Sequence, residues 1–227
     1  MEVITLLQLS PLHFALVASV LQLLGYIVYM LKTDITPEPL SWFMWGSTTW
    51  IIAIIEADTM IQVHQEWQFV PFGQRSLLVL PILCGCMSAI IAFRCWKRGK
   101  ISWPREFQNK LALTLSFSIV CIYILGWLFL RMEVIEHGTR EYFAIILLVL
   151  LSLVTITEFS PIVRNTVKNP GDEKSIPWII WTVAYLLLLI ATGWETGFSY
   201  LLVYPMINIL LHSSMGWLSR STRCMKT

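Results

Sequence analysis

Ser41-Trp42-Phe43-Met44-Trp45 returns 136 residues later as Pro177-Trp178-Ile179-Ile180-Trp181. Each copy follows a short acidic, proline-containing loop, and each opens an apolar segment. The same offset sets Lys32 against Lys168. An offset of 124 aligns Leu77-Leu78-Val79-Leu80-Pro81-Ile82 with Leu201-Leu202-Val203-Tyr204-Pro205-Met206. The change of offset places 12 extra residues in the first copy, within the stretch from Thr59 to Gln74. Leucine and valine matches arise easily between apolar segments, but tryptophans and prolines recurring in order are harder to obtain by chance.

Composition says what medium these segments occupy. Of 227 residues, 56% are hydrophobic and 13% charged. Ordinary globular domains carry roughly 25% charged residues, so a soluble fold of this size lacks the polar side chains to cover itself. A bilayer core about 30 Å thick needs about 20 apolar residues at 1.5 Å each, wound as a helix because lipid offers the backbone no partner. Seven stretches qualify: Leu12 to Leu31, Leu40 to Asp58, Ser76 to Phe93, Leu111 to Leu130, Tyr142 to Pro161, Ile176 to Trp194, and Phe198 to Leu218. The second is the weakest, because Glu56 and Asp58 close it. Met1-Glu2-Val3 has no basic n-region, so the first run reads as a retained helix and not a cleaved signal peptide.

The loops orient the spans. Thirteen basic residues fall on one side: Lys32, the six between Arg94 and Lys110, Arg164, Lys168, Lys174, Arg220, Arg223 and Lys226. Three fall on the other: Arg75, Arg131 and Arg140. Positive charge stays cytoplasmic, so the N-terminus is expected outside and the C-terminus inside, in a plasma or bacterial inner membrane.

Spans one to three therefore match spans five to seven, with span four left between them. The expected architecture is an all-α membrane protein of two parallel three-helix repeats: residues 1–96, then 97–139 as a basic loop and linker helix, then 140–219, then a tail at 220–227. An odd linker helix lets both copies keep one orientation, and transporters built from parallel repeats place the solute site near the midplane between them. The chain resembles the PQ-loop superfamily, which includes the SWEET sugar transporters. Ser160-Pro161, Lys168 and Pro177-Trp178-Ile179-Ile180-Trp181 are similar to that family's helix-end proline, basic loop and aromatic second helix, and Trp45-Gly46 to its aromatic-Gly pattern. Two departures stand: there is no Pro-Gln dipeptide, and Leu24-Gly25-Tyr26 occupies the place of a proline at the inner end of the first helix. The resemblance implies a seven-helix transporter and leaves the substrate open.

Candidate functional residues follow from position. Trp42 and Trp45 are three apart and share a helix face, as do Trp178 and Trp181. Trp42 and Trp178 fit an interfacial aromatic belt at headgroup level. Trp45 and Trp181 lie one turn deeper, where two rings facing each other can clamp a sugar or a flat ring. Trp50 is deeper still, with Leu186 at the matching place. Pro81 and Pro205, several residues inside their helices, are expected to bend them and act as hinges. Asn208 and Gln22 offer amides to a solute or to another helix. Glu158, expected at the inner end of span five, is the candidate for proton coupling. Glu56, Asp58 and Glu195 read as solvated helix ends. His13 and His212 read as packing or interhelical bonding, and the five cysteines as small core residues.

Other chemistries lack their signatures. No nucleotide loop, dinucleotide fingerprint, HExxH or GxSxG occurs, no metal-ligand spacing is present, and span seven has no lysine for a retinal Schiff base. No enzyme activity, cofactor or nucleic-acid partner is expected. The expected partners are the bilayer and a small solute carried by alternating access, and a homo-oligomer is compatible with this. The alternative is a non-transporting scaffold, receptor or assembly factor of the same fold. Its basic loop from Arg94 to Lys110, with Trp96 and Trp103, would bind anionic lipid or a cytoplasmic protein.

Overall fold

The computed structural model describes residues 10–32, 39–99, 107–131, 137–169 and 173–224. Lys100, Trp103 and Arg105 of the basic loop, and Lys226, lie outside the described residues. The described chain is helical: α1 (Pro11–Lys32), α2 (Pro39–His64), α3 (Phe72–Leu77), α4 (Val79–Lys97), α5 (Phe107–Arg131), α6 (His137–Lys168), α7 (Ser175–Thr196) and α8 (Val203–Cys224). α3 and α4 meet at the turn residue Leu78 and together make one apolar span interrupted there. Six of the seven long helices are long and apolar enough to cross a membrane, the composition of an integral membrane protein.

α2 falls outside those six. It has length to spare, at 26 residues, but its serines, threonines, tryptophans and two acids dilute its apolar content. Packing accounts for this. Its exposed large side chains are Phe43, Trp50, Ile54, Ile61 and Val63, mostly one narrow stripe at helical spacing. The polar residues lie on the covered faces. α7 is polarised in the same sense: Ile176, Ile179, Val183, Leu186, Ile190 and Trp194 face outward. Apolar groups outside and polar groups inside is the arrangement a bilayer demands.

The long helices close a ring. α1 packs on α4, α4 on α2, α2 on α6, α6 on α8, α8 on α7, and α7 on α1. α5 stands outside against α6, with a smaller contact to α2. Gly46 permits the close approach of α2 to α4, since a methyl group there would press on Ser88.

Several expected boundaries move. α2 continues past Asp58 to His64, so part of the surplus from Thr59 to Gln74 is helix and the rest holds a 3-10 turn at Trp67–Phe69. α6 continues to Lys168, so Pro161 lies inside it and not at its end. Pro81 and Pro205 are each the third residue of a helix, α4 and α8. Each is preceded by a separate short helical element, α3 or the 3-10 turn Tyr200–Leu202. The expectation of bends in helix interiors is therefore corrected. A first-turn residue has no intrahelical partner for its N–H, so proline loses nothing there and marks a helix start.

Candidate functional site

Every buried position of α7 has a buried counterpart on α2, and every buried position described on α8 has one on α4, although α2 and α4 bury further residues. α7 buries Pro177, Trp178, Trp181, Ala184, Tyr185, Leu188, Ala191 and Thr192. The residues 136 earlier are Ser41, Trp42, Trp45, Thr48, Thr49, Ile52, Ile55 and Glu56, all buried on α2. At the offset of 124, buried Tyr204, Pro205, Asn208, His212, Met215, Gly216 and Ser219 of α8 correspond to buried Leu80, Pro81, Cys84, Ser88, Ile91, Ala92 and Cys95 of α4. Gln22 corresponds in the same way to Glu158, and both are fully buried. Few of these pairs share a side chain. What recurs is the orientation of each helix.

From Trp42 to Glu56 the inward face of α2 climbs about 21 Å at 1.5 Å per residue, and the groups along it form layers. Deepest in the aromatic end are Trp42, Trp178 and Tyr29, all buried. The Trp42 and Trp178 centroids are 6.1 Å apart. Glu173, in the segment before α7, is fully buried beneath them. It accepts a hydrogen bond from the Tyr29 hydroxyl at 3.1 Å and one from Trp178 Nε1 at 3.0 Å. The belt reading of Trp42 and Trp178 is thus corrected: they form the floor of a central cluster, because their face of the helix points into the ring.

One turn on are Trp45 and Trp181. They do not form a simple facing pair. Tyr26, Trp42 and His212 each touch both: the His212 centroid is 5.4 Å from Trp45 and 5.7 Å from Trp181, and Tyr26 lies 6.4 Å and 4.9 Å from them. Trp181 Nε1 donates to the main-chain carbonyl of Gln22 at 3.1 Å. This approach needs Gly25, where a methyl group would overlap the indole. His212 Nδ1 is 2.7 Å from the Asn208 carbonyl, and Asn208 Nδ2 donates to the Tyr204 carbonyl at 2.9 Å.

This layer holds buried polar atoms with no partner among the described residues: both side-chain polar atoms of Gln22, Nε1 of Trp45, Oδ1 of Asn208 and Nε2 of His212. Leaving such an atom unsatisfied costs about 1–3 kcal/mol each. The structure sets Trp181 against Gln22 and His212 against both Trp45 and Trp181, with Asn208 one turn before His212 on α8. Histidine 212 was legible only in part. It shares a helix face with Pro205 and Asn208, but its contact with five rings is a tertiary fact.

Beyond lies a hydroxyl and thiol layer. The Tyr26 hydroxyl is 2.9 Å from Ser88 Oγ and donates to the Cys84 carbonyl at 3.2 Å. The Tyr185 hydroxyl lies 3.1 Å from that of Tyr204 and 3.7 Å from Cys84 Sγ. Above it is a cavity of about 10 Å³, the lower bound for one water molecule. Glu56, Thr192, Pro81, Pro205, Leu77 and Leu201 are among its lining residues. These are three pairs at the two offsets. Glu56 is only 7% exposed, so its reading as a solvated helix end is corrected: α2 runs two turns further, and the acid stays inside.

Glu158 lies apart from the aromatic cluster, between α6, α2 and α5. Its Oε1 accepts from Thr48 Oγ1 and from Ser116 Oγ, each at 2.6 Å, and its Oε2 has no partner. It is mid-helix and not at a helix end, since α6 continues ten residues past it. Asp58 accepts from Gln62 at 2.8 Å, Glu195 lies against Gly73, and Trp50 is on the outer surface at 38% exposure. Among the described residues no three His, Cys, Asp or Glu side chains converge as metal ligands would.

No protein-family model, no curated protein and no solved structure matches the chain.

Proposed function

We propose that the protein is a small-solute carrier built from two three-helix repeats, α1, α2 with α3–α4, and α6, α7, α8, with α5 as the linker helix. The solute site is the layer of Gln22, Trp45, Trp181, Asn208 and His212 between the repeats. The observation that carries this reading is the set of unpartnered polar atoms concentrated there. A core selected only for packing in lipid would pair such groups or replace them. A polar solute, or the water that exchanges with it, supplies the missing partners. The matched burial at both offsets supports the pseudo-two-fold relation between the repeats, and the closed ring supports rocking of one repeat against the other around a central site.

The conformation described is closed, since aromatic rings fill the centre and the cavity above it takes at most one water. That closure favours the second reading, a non-transporting membrane scaffold with a dry core. The two separate on one experiment. Purified protein is screened by thermal shift against sugars, amines, amino acids, vitamins and nucleosides, and hits go to proteoliposome uptake. A ligand of the folded state raises the melting temperature by mass action. The carrier reading expects a solute class that stabilises wild type, is taken up, and fails to stabilise Trp45→Ala or Trp181→Ala. A scaffold shows no stabilisation by any class at millimolar concentration and no uptake.

A further inference from the structure

The buried acids of the ring have no buried lysine or arginine to match them among the described residues, and the one buried base is His212. Among the described residues the buried charged side chains are Glu56, Glu158 and Glu173, and no lysine or arginine is buried. Glu173 is engaged by Tyr29 and Trp178, and Glu158 by Thr48 and Ser116. Glu56 differs. It is more than nine-tenths buried, lines the small cavity between the two offset-related prolines, and makes no hydrogen bond or ion pair with a described residue. Around it the cavity offers Met60, Leu188 and Leu201, with the Thr192 and Tyr204 hydroxyls.

Two turns or more below stand six electron-rich rings, Tyr26, Tyr29, Trp42, Trp45, Trp178 and Trp181, all at 0–1% exposure. An aromatic face attracts an organic cation, most strongly where water is excluded. A buried carboxyl group with no counter-ion among the described residues at one end, free to ionise against an incoming cation, and an aromatic cluster at the other make a path that favours positive charge. Among the described residues the same path has no buried lysine or arginine to receive a carboxylate or phosphate, and the buried His212 already sets one ring nitrogen against the Asn208 carbonyl. An anion would meet no fixed positive charge in low dielectric, at a cost of several kcal/mol.

From this geometry we infer that the solute is a singly charged organic cation, an amine without an acid group, and that Glu56 is the residue that selects it. The ammonium pairs with Glu56 in the cavity, within reach of the Thr192 and Tyr204 hydroxyls, before its apolar part enters the aromatic layer. Thr192, the counterpart of Glu56 at the offset of 136, carries no charge, so the path has one carboxylate at this level. This inference rests on the carrier reading for its direction of travel, but the binding step stands without it.

The test uses four probes of one shape in the full-length protein: phenethylamine, 2-phenylethanol, phenylalanine and 3-phenylpropionate. Melting-temperature shifts across a concentration series give apparent affinities, and proteoliposomes give uptake. The expected result is that phenethylamine binds at least tenfold more tightly than the alcohol, the zwitterion or the anion. Glu56→Gln removes that preference while keeping the alcohol's affinity, and Glu56→Asp retains it. The conservative variant guards against a Glu56→Gln protein that does not fold. Equal binding of amine and alcohol by wild type overturns the inference, as does an undiminished preference in Glu56→Gln or no binding of the amine at millimolar concentration. Uptake of the alcohol or zwitterion in place of the amine overturns it while the carrier reading survives. Amine binding that depends on Glu56 but yields no uptake sustains the site and overturns the carrier reading.

Discussion

Trp181 of α7 donates its indole N–H to the main-chain carbonyl of Gln22 in α1, at 3.1 Å, across the junction of the two halves of the ring. The carbonyl belongs to a helix that already uses it, so the contact adds a second donor at one oxygen. It exists because Gly25, three residues on, has no side chain to hold the ring away. The α1–α7 junction is thus keyed by one ring and one missing methyl group.

Gly25→Ala is expected to push Trp181 out of this seat. Overpacking in a tight core costs typically 1–3 kcal/mol, and the Trp181–Gln22 hydrogen bond goes with it. Chemical unfolding in detergent measures the loss. Trp181→Phe should tolerate Gly25→Ala better than wild type does, so the two substitutions should be non-additive. Strict additivity would show that the two residues do not share one constraint.

Glu158 supports a graded prediction. In Glu158→Gln the amide oxygen can still accept from Thr48 and Ser116, so the fold should hold within about 1 kcal/mol. Glu158→Leu strands the Thr48 hydroxyl, while Ser116 can still donate to the Ala112 carbonyl at 2.9 Å, and should cost about 1–3 kcal/mol for the stranded group. If Glu158 couples movement to protons, an imposed pH gradient accelerates wild-type uptake but not uptake by Glu158→Gln. Continued acceleration in that variant would remove Glu158 from the coupling role.

Glu173 closes the aromatic end of the ring from a segment between helices. Charge-assisted hydrogen bonds are roughly twice as strong as neutral ones, so Glu173→Gln should weaken both the Tyr29 and Trp178 contacts, and Tyr29→Phe only one. The order of amide exchange rates in the first turns of α7 should be Glu173→Gln, then Tyr29→Phe, then wild type slowest. Unchanged exchange in all three would mean that the carboxylate does not fasten this end.

Pro205→Ala and Pro81→Ala should alter stability by less than about 1 kcal/mol. A proline in a helix interior costs about 3 kcal/mol relative to alanine, and its removal would be strongly stabilising. First-turn prolines carry no such cost. Unfolding midpoints decide between these, and a gain of several kcal/mol would restore the interior-kink expectation. A role as hinges would appear instead as slower uptake at unchanged stability.

The helices are legible in the linear chain, because long apolar runs in a charge-poor chain have one solution in lipid. The repeated Trp-x-x-Trp and Pro positions also located Trp45, Trp181, Pro81 and Pro205 on equivalent faces. Asn208 and Gln22 were legible as amides in apolar surroundings. Span ends were less so. Glu56 looked like a terminus because charge normally ends a span, yet α2 is shielded by α4 and α6 and carries its acid inside. The prolines looked like kinks because the turns before them, Leu78 and Tyr200–Leu202, are as apolar as the helices they interrupt.

The medium, the helical class and the two offsets are properties of the linear chain, set by hydropathy, backbone hydrogen bonding and the order of tryptophans and prolines. Which face of each helix turns inward is settled by packing alone. That choice buries Trp42 and Trp178 instead of leaving them at an interface, gathers His212 with rings from three other helices, and sets Glu173 against Tyr29, 144 residues away. It also sets Glu56 in a cavity with no counter-ion among the described residues. A helix in lipid is apolar nearly all round, so its local sequence specifies a span but only weakly its rotation. Rotation is settled where neighbouring helices meet, by notches such as Gly25 and Gly46 and by polar atoms that must avoid the lipid.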